Sequence, residues 1–122
     1  MKFFTLALAL EAAIWFGHFQ IAPPTARQIK PPAIYQEWFT ELVACVGTEK
    51  TFEALTFYVV PGVSWRIPAD GSEVVGYHDH GKIYMAETYS RTSWLVKHEM
   101  THYLLSPHAG HPAPPFEDCE FR

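Results

Sequence analysis

The amino-acid sequence predicts an α+β domain in which a small antiparallel sheet packs against two helices. Three observations predict it. Residues 34–46 carry apolar side chains at spacings of three and four, the helical period, and residues 90–105, between cap candidates Ser90 or Thr92 and Pro107, read as a second helix. Between them, residues 51–87 break into short runs rich in β-branched and aromatic side chains, separated by Pro, Gly and Asp. These runs succeed one another through short turns, which makes neighbours antiparallel and leaves both helices to one face.

The N-terminus reads Met1-Lys2 and then an uncharged apolar run to Leu10; Glu11 interrupts it before more apolar sequence to Phe19. A positive start followed by such a run has the form of a secretory signal. The stretch is too short for a spanning helix and has a charge near its middle. A helix packed on the domain is the alternative. Export is expected, with membrane contact only through an uncleaved N-terminal segment. Pro23, Pro24, Pro31 and Pro32 make residues 21–33 extended, so residues 1–33 read as N-terminal segment plus linker and residues 34–122 as the domain.

Within the domain, Tyr35, Trp38, Phe39, Leu42 and Cys45 share one helical face, Glu37 and Glu41 lie on the other, and Gly47 is the stop. Residues 51–60 read as a strand ended by Pro61-Gly62, and residues 63–67 as a second short strand before a turn at 68–72. Residues 73–77 and 82–87 are two more strands around a turn His78-Asp79-His80-Gly81. The second helix starts at Ser90 or Thr92 and is ended by Pro107. The tail from His108 is irregular.

A chain of 122 residues holds one small domain, and 48% hydrophobic against 18% charged residues make it a folded one. The net charge of −4, with no basic run, argues against nucleic acid as a partner; a monomer is expected. Cys45 and Cys119 are the two cysteines. A bridge between them would staple the first helix to the C-terminus, with two separate thiols as the alternative. Export and a single pair support each other.

The second helix carries His98-Glu99-Met100-Thr101-His102, an H-E-x-x-H sequence. Residues i and i+4 lie on one helical face, so both imidazoles reach one metal ion. Glu99, one step round, is placed to take a proton from water activated by that metal. Apolar neighbours surround the motif, including Trp94, Leu95, Val96, Met100 and Leu104, so the helix reads as buried and its polar groups need partners. A third protein ligand is expected. His108 and His111 stand in the tail, with Glu117, Asp118 and Glu120 after them; four of the seven histidines fall between positions 98 and 111.

This helix resembles the active-site helix of zincin metallopeptidases. The His98-to-His108 spacing equals that of metzincins, although Leu105 stands where they carry glycine. The fuller match is to SprT-like (Spartan-type) proteases, whose helix reads H-E-M-x-H and is followed by a G-H-G-x-x-F loop. Here Gly110-His111-Pro112 and Phe116 come after the motif, with proline in place of the second glycine. The similarity covers about the last quarter of the chain. It implies a minimal zincin-like domain holding Zn²⁺ through His98, His102 and His111, with His108 as the alternative third ligand. Glu99 would be the general base, and peptide or protein the substrate.

Weaker signals remain. His78 and His80 around Asp79 suggest either a second metal site or a solvated turn. Residues 82–87 suggest either a substrate-holding sheet edge or an interior strand. Tyr103, beside a ligand, suggests an oxyanion donor or core packing. The expected activity is zinc-dependent peptide-bond hydrolysis; the alternative is a non-catalytic secreted zinc-binding module.

Overall fold

A computed structural model describes residues 21–106 and Cys119. The signal-like segment before them lies outside the described residues, as do His108, His111, Phe116, Glu117, Asp118 and Glu120. The described part is α+β: two helices on a small mixed sheet.

Strand β1 (Arg27–Ile29) comes from the proline-flanked stretch expected to be linker. It pairs antiparallel with β2 (Thr56–Val60), Gln28 opposite Tyr58. Helix α1 (Ala33–Val46) matches its periodicity: Tyr35, Phe39 and Leu42 are buried, and the Gly47 N–H closes the helix on Val43 O at 2.8 Å. Only the second half of residues 51–60 is strand, because Phe52–Ala54 forms a 3₁₀ turn.

The expected antiparallel sheet is instead mixed. Its order is β1-β2-β6-β5, with β5 at Gly76–Asp79 and β6 at Lys82–Ala86. β6 runs parallel to β2 and antiparallel to β5. The reason is the path of residues 61–75. They form a separate ribbon, β3 (Trp65–Arg66) paired with β4 (Glu73–Val74), and take no place in the main sheet. The whole connection from β2 to β6, ribbon and β5 included, exceeds the dozen or more residues that a parallel neighbour needs. The chain returns along the far edge as β5, and β6 then inserts between β5 and β2. Residues 73–77 are accordingly two strands, broken at Val75, and the turn expected over 78–81 shrinks to His80-Gly81. Both sit at positive φ, 47° and 84°, as a two-residue hairpin turn demands, with Asp79 opposite Lys82.

The strands alternate as a half-covered sheet should. Phe57, Val59, Ile83 and Met85 face the helices and join Tyr35, Phe39, Leu42, Leu95, Val96, Met100 and Leu104 in one core. Val60 and Ala86 point the other way, onto Trp65 and Ala22. Tyr58 stacks on Tyr84 across that second face, ring centroids 4.8 Å apart.

Helix α2 (Ser93–Leu105) starts three residues later than the earliest expected cap. Thr92 precedes it without a side-chain cap bond, and Glu87–Tyr89 forms a 3₁₀ turn before it. Two polar ties seat α2. Lys97, 5% exposed, pairs with Glu41 of α1 at 3.0 Å. The Tyr35 hydroxyl donates to Ser90 O, just ahead of the helix, and burial pushes its pKa up to about 12. The sulfurs of Cys45 and Cys119 are at bonding distance and close a disulfide between the end of α1 and the tail.

Candidate metal centre

α2 is buried on most of its circumference, with Leu95, Val96, Met100 and Leu104 in the core. One stripe stays open. Trp94, His98 and His102 stand at i, i+4 and i+8, hence on one face. All three line a cleft of about 530 Å³ between α2 and the chain running from Glu73 to His78. Trp94, expected to be buried with its neighbours, is 45% exposed there and packs edge-on against Tyr89.

The rings of His98 and His102 lie with centroids 4.8 Å apart at 84°. Glu99 is 3% exposed, with Oε1 4.0 Å from His102 Nε2. One nitrogen from each histidine and a Glu99 oxygen lie within 4.8 Å of one another, and among the described residues this is the group of side chains arranged to hold a metal ion. Two imidazoles and a carboxylate on a cleft wall fit a divalent transition metal.

The strand across the cleft is shaped to this helix. A Cβ at Gly76 would stand 2.7 Å from Leu95 Cδ1 and 3.1 Å from Glu99 Oε2. Only a glycine lets β5 approach the motif so closely; an isolated glycine in a strand pattern is the signal that could have revealed this contact. Gly76→Ala is expected to destabilise the fold by about 1–3 kcal/mol, as overpacking does, and to displace Glu99. Denaturant unfolding checks the first effect; unchanged stability would show that the contact relaxes freely.

Lys50 holds the far end of the helix. Its ammonium donates to Tyr103 O at 2.7 Å and Ser106 O at 2.8 Å, meeting the last carbonyls and the negative end of the helix dipole. It also lies over the Tyr103 ring. The Tyr103 hydroxyl donates to Thr51 O at 3.2 Å and its ring packs on the core, so this tyrosine serves packing.

The edge facing the cleft is β5 rather than residues 82–87. β6 lies inside the sheet, because the hairpin turns back under β5, so the substrate-edge reading of that segment is corrected. The possible second metal site is a self-bonded turn. His80 Nδ1 lies 2.6 Å from Asp79 Oδ1, and His78 Nε2 accepts from the Gly81 N–H at 2.9 Å. His78 is half-buried, its ring edge-on to Tyr103, and burial holds its pKa below the usual histidine value.

No family model, curated protein or solved structure matches this chain.

Neither His108 nor His111 lies among the described residues. The described chain does show where the tail is held. Ser106 is tied through its carbonyl to Lys50, and Cys119 is tied to α1 by the disulfide and buried in the core.

Proposed function

We propose that this chain is a zinc-dependent metallopeptidase of zincin type, similar at its active-site helix to SprT-like proteases. The observation that carries the reading is the convergence of His98, Glu99 and His102 on a cleft whose opposite wall is a sheet edge. A zinc ion there would supply Lewis-acid activation of a carbonyl and of water. His98 and His102 would hold it from one helical face. Glu99, one residue on and turned toward Gly76, takes the proton of the attacking water. The water oxygen bonds to the scissile carbonyl carbon, the C–N bond breaks, and Glu99 passes its proton to the leaving amine. The main chain of β5 offers the substrate an edge to pair with, which suits an extended peptide of varied sequence. The disulfide supports an oxidising, exported setting. Among the described residues no helix is long and apolar enough to cross a membrane.

Zinc measured by mass spectrometry after native purification, together with cleavage of an internally quenched peptide pool, tests the proposal. Protein without zinc, or zinc-loaded protein without cleavage, overturns it.

His111 is the proposed third ligand. The resemblance carries this choice: Gly110-His111-Pro112 and Phe116 follow the motif as the ligand-bearing loop does in SprT-like proteases. His111→Ala is expected to weaken zinc binding by orders of magnitude, and His108→Ala by about 10–100-fold at most, the range of a residue that only supports a ligand. Zinc titration of the two variants checks this. Metal lost on His108→Ala and kept on His111→Ala would make the metzincin-like spacing the right guide.

A further inference from the structure

Among the described residues, the cleft contains one imidazole that the proposed chemistry does not use, His78. His78 lies two residues beyond Gly76 on β5, so it faces α2 as Gly76 does, about 7 Å further along the strand. Its ring stands edge-on to Tyr103 and lines the same cleft as His98 and His102. It stands on the α2 face of the edge strand, beside the main-chain edge that a bound peptide would pair with.

The hydrogen bonding of His78 decides what it can do. The Gly81 N–H points into the Nε2 lone pair at 2.9 Å. That bond is built into the hairpin, because positive φ at His80 and Gly81 turns the amide back toward the strand. An imidazole whose Nε2 accepts a hydrogen bond carries its proton on Nδ1 when neutral. Such a ring has no second lone pair for a metal, so His78 is not a third ligand. It is a donor at Nδ1, and among the described residues no acceptor for that proton is found. The burial of the ring favours the neutral form that this arrangement needs.

We infer that His78, locked as its Nδ1–H tautomer by the Gly81 amide, is the substrate-facing hydrogen-bond donor of the cleft and takes a carbonyl oxygen of the bound peptide. This rests on the peptidase reading and deepens it. The edge of β5 binds any main chain, whereas a fixed side-chain donor sets the register of a carbonyl against the metal centre. Such a donor is pre-organised by the turn and needs no rearrangement when the peptide arrives.

Three measurements test it. Long-range ¹H–¹⁵N NMR of the folded chain at neutral pH reads the tautomer directly; Nδ1–H is expected for His78, and Nε2–H overturns the inference. Peptide cleavage by zinc-loaded His78→Ala should fall about tenfold in kcat/KM, the loss expected on removal of one such hydrogen bond, at unchanged zinc content. His78→Asn keeps an N–H near the Nδ1 position and should recover most of that loss. Unchanged kcat/KM in His78→Ala, or loss of zinc from it, overturns the donor role. The third readout is the affinity of a peptide hydroxamate for the zinc-loaded chain, expected to weaken about tenfold in His78→Ala and to recover in His78→Asn. If the parent protein cleaves no peptide, the peptidase reading fails by itself; the tautomer and the hydroxamate affinity then decide on His78, and equal affinities in parent and His78→Ala reject it.

Discussion

Replacing Glu99 by glutamine is expected to remove peptide hydrolysis and leave zinc in place. The two side chains have nearly the same shape, so the 3%-exposed position beside Gly76 is filled as before. What is lost is the basic lone pair. A positioned general base contributes about 10²–10⁴-fold, so kcat should fall by at least two orders of magnitude. Zinc should stay because His98 and His102, whose rings meet at 84°, are untouched. Turnover of a quenched peptide beside zinc content measures both halves. Turnover at the parent rate would remove Glu99 from its role as base. Loss of zinc would make Glu99 a ligand, which its position within 4.8 Å of both histidines allows.

The disulfide carries the second large effect, this time on stability. Cys45 and Cys119 are separated by 74 positions. Closing a loop of that length restricts the unfolded chain by about 4 kcal/mol in the chain-entropy model. Small domains have about 5–15 kcal/mol in total, so the bridge is a large fraction of it. The double variant Cys45→Ala/Cys119→Ala should melt roughly 20 °C lower than the oxidised parent. Calorimetry of both proteins, and of the parent with reductant, checks this. A melting point unmoved by either treatment would mean that the tail is held by its packing alone. Unfolded, unreduced protein should show no titratable thiol.

Legibility falls with sequence distance. Helix α1 is readable because Tyr35, Phe39 and Leu42 repeat at the helical period and all turn out buried. The motif is readable for the same reason: the i, i+4 relation of His98 and His102 is a property of any α-helix, whatever surrounds it. The shorter elements are less so. Arg27–Ile29 has no apolar alternation and stands between proline pairs, so it reads as linker; it becomes a strand because β2 leaves an edge beside it. Residues 73–77 have strand composition throughout, yet their first half pairs with β3 and their second with β6. Lys97, charged and in a helix, gives no sign that it is buried against Glu41.

An α+β chain, an H-E-x-x-H helix and a cysteine pair able to bridge are all written in local sequence. Which strand lies beside that helix follows from the packing of the whole chain. Parallel entry of β6 next to β2 sends β5 to the sheet edge, and with it Gly76 against Glu99 and His78 into the cleft. The physical reason is that local geometry comes from backbone dihedrals and side-chain spacing, which are written along the chain. The choice of partner for a short strand depends on how two helices, a ribbon and a sheet share one core, and residues some twenty positions apart carry no periodic mark of that encounter.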